Sequence, residues 1–251
     1  MKRIHILSSV LFSGLLLAAQ SALPAQGQSR NAASHKLNPP PSANLDYTIQ
    51  AKQKGLQLNG SAQVQWQTDG RHYSVTTETR ASLLGKILEA KSEGSIDRFG
   101  LTPDSSTEKR FHKAQTTTTF NRQSGKITFS ASDASYPIKG GEQDRNSVTW
   151  QLVTLARSGQ LKSGSTVPVF VAGQKDADPW SFKIGKQEKI STPLGVLNTL
   201  QISKVVQNAG KDQKVELWLA PAKEWYPVRI RFTEPDGDFI EQTIEKITPK
   251  S

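Results

Sequence analysis

The sequence predicts a mainly β fold, an antiparallel open barrel or strongly curved sheet with one principal α-helix packed against it. Three observations carry this. Apolar and polar residues alternate with period two over about a dozen short stretches, the spacing of half-buried strands. Tight-turn signals separate them, Asp69-Gly70 and Pro235-Asp236-Gly237 being the plainest. A single stretch, Gln143 to Gly159, has convincing helical spacing.

That helix is the element around which the rest is read. Asp144 offers a carboxylate N-cap, with Ser147 as a second candidate. Val148, Leu152 and Leu155 fall on one face, Val153 and Ala156 widen it, and Trp150 lies beside it. Arg157 suits the negative end of the helix dipole, and Gly159 suits the position after the last turn. A lone amphipathic helix among strands has to bury its stripe against a sheet. Each aliphatic side chain so buried contributes roughly 1.5–3 kcal/mol.

Taken in order, the chain opens with Met1-Lys2-Arg3, then an apolar run from Ile4 to Ala19 broken by Ser8, Ser9 and Ser13. Small residues follow at Ala18, Ala19, Ala22 and Ala25. This is the build of a secretory signal peptide over residues 1–25, cut after Ala25, Ala22 or Ala19. A membrane anchor is the alternative, but the run is short for a span of ~20 residues. No other stretch reads as a span, so the chain is expected not to cross a membrane once the signal is removed. Residues 26–44 read as a disordered linker ending in the polyproline spacer Pro39-Pro40-Pro41. Residues 45–248 read as a single β domain.

Within it, Leu45 to Lys52 turns at Lys54-Gly55 into a strand where Ala62, Val64 and Trp66 alternate with glutamines. Asp69-Gly70 returns the chain through Tyr73 and Val75. Ser82 to Ala90 breaks the rhythm, because Leu83, Leu84, Ile87 and Leu88 bunch around Gly85 and Lys86. The spacing predicts a short helical turn, read first as a core plug at a barrel end. The alternative is an apolar lip that touches a hydrophobic ligand or bilayer, with Lys86 beside it for a head group. Strands resume at Lys91 to Asp97, Ser105 to Phe111, Thr116 to Phe120 and Lys126 to Ala131. Beyond the helix come Thr166 to Ala172, Trp180 to Ile184, Val196 to Val206 and Val215 to Leu219. Val228, Ile230 and Phe232 alternate with Arg229, Arg231 and Thr233, and the return strand is Phe239 to Ile247. Arg229 and Arg231 are expected to point away from the core, toward Glu241 or Glu245.

Composition narrows the function classes. The 251 residues carry 32 Lys and Arg against 22 Asp and Glu, a formal net charge of +10. Cysteine is absent, which excludes disulfides, thiol catalysis and cysteine metal sites. An exported chain held by its core alone suits a bacterial periplasm. A basic protein there is not expected to meet nucleic acid; anionic lipid head groups, lipopolysaccharide or acidic glycans are the partners its charge fits. General solubility is the plainer account of that charge. His72 and His112 are isolated and lack metal-ligand spacing. No GxSxG elbow or phosphate-binding glycine loop occurs. Asp97, Glu108, Glu142 and Asp144 could supply carboxylate pairs, but any chain with 22 acids offers such pairs. No enzyme activity, cofactor or metal is expected.

The run Ser95-Ile96-Asp97-Arg98-Phe99-Gly100-Leu101-Thr102-Pro103 with Glu108-Lys109-Arg110 resembles a known family. So do Gln143-Asp144-Arg145 with Ser147 and Trp150-Gln151-Leu152, and the close Trp218-Leu219-Ala220, Pro227-Val228-Arg229 and Asp236-Gly237. In this order they resemble the domain-of-unknown-function 3108 family of exported bacterial envelope proteins. The resemblance covers roughly residues 45–247 and implies location and fold, with no catalytic residues to carry over. Trp218 to Ile244 is also similar, more loosely, to the closing strands of LolA- and LolB-type half-barrels, which bind acyl chains within a curved sheet.

These features point to a periplasmic binding or carrier protein for an apolar ligand with an anionic head, such as a lipid or acylated envelope precursor. Leu84, Ile87 and Trp150 would line the apolar site, and Lys86 or Arg145 would meet the head group. The alternative is a structural or scaffolding protein acting through contacts with other envelope proteins. A hydrolase of cell-wall polymer is the third class.

Overall fold

The computed structural model describes residues 36–250. The expected signal peptide and the first part of the expected linker lie outside them. Eight strands run consecutively from the amino-terminal side: β1 (Ala43–Gln53), β2 (Leu56–Thr68), β3 (His72–Ala81), β4 (Gly85–Asp97), β5 (Gly100–Arg110), β6 (Thr116–Asn121), β7 (Lys126–Phe129) and β8 (Ser132–Pro137). Next come a two-residue strand β9 (Gln143–Asp144) and the helix α1 (Ser147–Arg157). The second run is β10 (Thr166–Ala172), β11 (Ala177–Thr192), β12 (Gly195–Lys204), β13 (Lys214–Leu219), β14 (Pro227–Thr233) and β15 (Phe239–Pro249).

All fifteen strands belong to one sheet, ordered β8 through β1, then β15 down to β9. Adjacent strands in the sheet are consecutive in sequence except at one place, where β1 pairs antiparallel with β15 from Ala43↔Pro249 to Lys52↔Phe239. The sheet is antiparallel but for the short β9–β10 pair. No ladder joins β8 to β9, so the sheet is curved but open. Its two free ends nonetheless meet face to face. Phe120, Ile127 and Phe129 pack with Ala172, Ala177 and Phe170 in a small cluster, and Thr118 Oγ1 donates to Gly173 O at 2.7 Å.

The curl encloses α1. On one side Trp66 stacks on Trp150 with ring centres 4.3 Å apart, among Leu45, Tyr47, Val64, Val228 and Ile244. On the other, Val148, Leu152, Val153 and Ala156 pack on Phe182, Ile184, Leu200, Ile202, Leu217 and Leu219. Alternation explains this core strand by strand. Along β1 the residues Ala43, Leu45, Tyr47, Ile49 and Ala51 are buried while their neighbours face outward.

Several expectations are corrected. The helix begins at Ser147 rather than near Gln143, since Gln143 and Asp144 are extended against Val171 and Ala172. Asn146 is the N-cap residue and makes no side-chain cap bond. Asp144 supplies that bonding from two residues before it, its Oδ1 accepting from the amides of Asn146 and Ser147 at 2.8 and 3.0 Å. The helix is buried nearly all round, not on one stripe: Ser147, Gln151 and Thr154 are inside as well. Ser82 to Ala90 holds no helical turn. Ser82–Leu84 is a tight reversal closed by Leu84 N donating to Ala81 O at 3.3 Å, and Gly85, at φ +69°, starts β4 directly. Nor is it a core plug, because Leu83 is 93% exposed. The proline run is seated on the domain. Pro40 O accepts from Trp66 Nε1 at 2.9 Å and Pro41 O from the Tyr226 hydroxyl at 2.6 Å. Arg229 and Arg231 face outward as expected, and both reach Glu241, at 3.5 and 3.1 Å.

Candidate functional site

Antiparallel alternation sends the turns β1–β2, β3–β4 and β5–β6 to one end of the sheet, together with β10–β11, β12–β13 and β14–β15. The helix points its amino terminus toward this end, where the Arg145 guanidinium packs against Gly173 of the β10–β11 turn; a Cβ there would stand 3.1 Å from Arg145 Nε. Its carboxyl end lies at the other, where Arg157 pairs with Glu224.

Between the first turn of α1 and the inner face of β11–β14 lies a cleft of about 360 Å³. Its floor is apolar: Val148 from the helix, Trp180 and Phe182 from β11, Val215 and Leu217 from β13, Phe232 from β14. The strand period explains the lining, since Trp180, Phe182 and Ile184 share one face of β11 and Val215, Leu217 and Leu219 one face of β13. Three cations border it, Arg145, Lys204 and Lys211, and so do the carboxylates Asp178 and Asp212.

Lys204 occupies the inner-face position after Ile202, where β12 runs out of core. Its Nζ stands 4.4 Å from the centre of the Trp180 ring and 3.5 Å from Gln213 O. Partial burial lowers its pKa, the nearby Asp212 carboxylate raises it, and Arg145 lowers it further. Asp212 is already engaged, its Oδ2 accepting from the amides of Gln207 and Asn208 at 3.0 and 2.8 Å. Among the described residues, Arg145, Lys204 and Lys211 form no ion pair. An apolar floor bordered by cations without ion pairs, of which Lys204 is partly buried and Arg145 and Lys211 are exposed, is suited to an apolar ligand with an anionic head.

The five residues singled out by sequence do not converge. Arg145 borders the cleft. Trp150 is a core residue, stacked on Trp66 and edge-on to Tyr226 at 6.2 Å, and lines no open site. Leu84, Lys86 and Ile87 cluster on the β3–β4 turn, apart from the cleft lining, and Lys86 bonds Glu89 at 2.8 Å and nears Glu78 at 3.4 Å. The sequence does not single out Trp180, Lys204 and Phe232. The one available signal was each residue's place in its strand's inward period at a strand end.

The carboxylates weighed for catalysis are scattered. Asp97 caps the β4–β5 turn, accepting from Phe99 N at 2.8 Å, and Glu108 pairs with Arg110. Glu142 accepts from Gly140 N at 3.0 Å, and Asp144 is buried in the helix cap. His72 lies exposed beside Asp69. Among the described residues, no cluster of three His, Cys, Asp or Glu side chains could hold a metal, and no helix is long and apolar enough to cross a membrane.

The family model of DUF3108, a protein family of unknown function, matches residues 46–245. No curated protein matches the chain. Among solved structures, the chain is similar to a β-barrel-like protein of the DUF1849 domain family from Brucella abortus, at TM-score 0.56 and 11% identity, over 85% of this chain and 99% of that one. Weaker likeness, at TM-score 0.35 and 10% identity, links it to a protein from Bacteroides fragilis provisionally described as exported with a YmcC-like fold, over 84% of this chain and 98% of that one. A domain from Vibrio parahaemolyticus provisionally described as an outer-membrane lipoprotein-sorting protein gives 0.31 and 10%, over 84% and 86%. The first of these speaks for the curved-sheet fold alone, and the other two are too distant to add to it.

Proposed function

This chain belongs to the DUF3108 family, and from that premise we propose that it is an envelope binding or carrier protein for an apolar ligand with an anionic head. One observation carries the reading: the apolar-floored cleft beside α1, bordered by Arg145, Lys204 and Lys211 without ion-pair partners. Arg145 and Lys204 are like charges on its border, only partly offset at Lys204 by Asp212 and Asp178, so an anionic head bound beside them adds a compensating charge. Trp180, Phe182 and Phe232 supply the apolar contact. The cleft is small, near the lower end of the ~300–1,000 Å³ usual for ligand sites. It therefore suits one acyl chain or part of one rather than a whole multi-chain lipid. The periplasmic address rests on the signal-peptide build of residues 1–25 and the absence of cysteine.

The test is titration with a fluorescent fatty acyl probe bearing a carboxylate, against the same probe with a neutral amide head. The carboxylate form is expected to bind saturably and more tightly. Lys204→Ala and Arg145→Ala should each weaken it roughly tenfold, the value of one charge-assisted hydrogen bond of about 1.5 kcal/mol. Absence of saturable binding, or equal binding by the doubly substituted chain, sinks the reading.

A further inference from the structure

The residues displaced from the cleft have a consistent placement of their own. The turns β1–β2, β3–β4 and β5–β6 stand side by side at the end of the sheet where the cleft opens. They are linked strand to strand: Ser82 N donates to Asn59 O at 3.0 Å and Phe111 N to Ile87 O at 2.9 Å. With strands spaced about 4.8 Å apart, the three tips form a rim roughly 24 Å long.

That rim is apolar and exposed. Leu83 is 93% exposed, Leu56 66%, Leu84 60% and Phe111 43%. A folded protein places one such leucine at its surface without consequence; four large apolar side chains on adjacent tips are a patch. Around them stand Lys52, Lys54, Arg80, Lys86, Lys109, Arg110 and Lys113. Glu78, Glu89 and Glu108 pair with Arg80, Lys86 and Arg110. Lys52, Lys54, Lys109 and Lys113 are exposed and form no ion pair among the described residues. The next tip along, β14–β15, is acidic with Glu234, Asp236 and Asp238, and Asp238 accepts from Lys54 N at 2.7 Å, so the basic rim stops at β1.

We infer that this rim is a membrane-docking edge, in which the β1–β2, β3–β4 and β5–β6 tips set Leu56, Leu83, Leu84 and Phe111 into a bilayer whose anionic head groups meet Lys52, Lys54, Lys109 and Lys113. Leucine and phenylalanine at turn tips enter the head-group layer without burying unpaired backbone along a strand, and flanking lysines add attraction to a negative leaflet. The acidic β14–β15 tip is repelled by the same surface, so the sheet docks tilted, by its β1–β6 wing. Docking needs no ligand in the cleft and is tested without one.

The cysteine-free chain allows a local reporter. Full-length protein carrying Ser82→Cys with a nitrobenzoxadiazole label reads the β3–β4 tip, and Gln123→Cys reads the opposite end of the sheet. With vesicles of equal parts phosphatidylglycerol and phosphatidylcholine, the Ser82 label is expected to brighten several-fold and shift to the blue, and the Gln123 label to stay aqueous. Leu83→Asp with Leu84→Asp should abolish the response while leaving the melting temperature unchanged, since both side chains are exposed. Lys54→Gln and Lys113→Gln should each weaken it roughly fivefold, as expected per surface lysine. The inference is overturned if the Ser82 label stays aqueous while the protein sediments with vesicles, if the Gln123 label responds equally, or if pure phosphatidylcholine elicits the same response.

Discussion

At the scale of single residues, the most informative side chain is Asp144. It is fully buried, accepts from Ser92 Oγ at 2.6 Å through Oδ2, and holds two amides at the start of α1 through Oδ1. Tyr73 extends the chain, its hydroxyl 3.0 Å from Ser92 Oγ, so the proton order runs from Tyr73 to Ser92 to Asp144. Burial raises the pKa of Asp144, its hydrogen bonds opposing. A carboxyl whose native pKa lies above its unfolded value near 4 binds its proton more tightly when folded. The stability this contributes is full below about pH 4 and is lost as pH rises through the native value. Asp144→Asn keeps the acceptor for both amides and removes the charge. The variant should therefore gain on the parent as pH rises above about 4, by at most about 1.4 kcal/mol per pH unit. Urea titrations of both chains across that range check it; parallel stabilities would mean that Asp144 titrates as it does unfolded. Sequence alone marks Asp144 as a cap but cannot show its burial, because Ser92 and Tyr73 are 52 and 71 positions distant.

At the scale of elements, α1 shows how far periodicity reaches. The stripe of Val148, Leu152 and Leu155 makes the helix legible, and the contacts of Val148 and Leu152 follow from it, whereas Leu155 is half-buried outside the core clusters. The polar side becomes intelligible only in place. Gln151 Oε1 accepts from Leu101 N at 2.8 Å and its Nε2 donates to Phe99 O at 2.7 Å, while Thr154 Oγ1 donates to Trp150 O at 2.9 Å. Gly100, at φ +110°, leaves room for that amide; a Cβ there would stand 2.1 Å from Gln151 Oε1. Leu152 is completely buried, so Leu152→Asp places an unpaired charge in the core, costs several kcal/mol and is expected to abolish cooperative melting. Gln151→Ala should cost about 1–3 kcal/mol by leaving the buried Leu101 amide unpaired. Chemical denaturation of the two variants ranks them, and a cooperatively melting Leu152→Asp would contradict the burial of α1. The β3–β4 turn shows the opposite limit. Four apolar residues around Gly85 have helix-compatible spacing, yet the flanking strands already fix a hairpin, and a short turn cannot extend into a helix against two ladders.

At the scale of the molecule, β15 is the seam. Its ladder to β1 pairs residues about 200 positions apart and is the sole strand ladder between the wing β1–β8 and the wing β9–β14. Ile244, fully buried, belongs to the core cluster that holds Leu45, Tyr47 and Val228. A chain ending at Asp238 would leave β1 and β14 as unpaired edges with that cluster open. It is expected to lose cooperative unfolding by circular dichroism and fluorescence together; a truncated chain that still melts in one cooperative transition would show that the helix and the contacts between the free ends couple the wings without this ladder. The sequence by itself determined the strand faces, most of the turns, one helix and the mainly β class, because period two, period 3.6 and left-handed glycines are local properties. Tertiary structure alone decided that β1 meets β15, that the helix is enclosed rather than laid on a face, and that Lys204, Trp180 and Phe232 join Arg145 around one cleft. The reason is physical: alternation states which side of a strand is buried but carries no information about which distant strand lies beside it, and a site built across several strands exists only once that pairing is set.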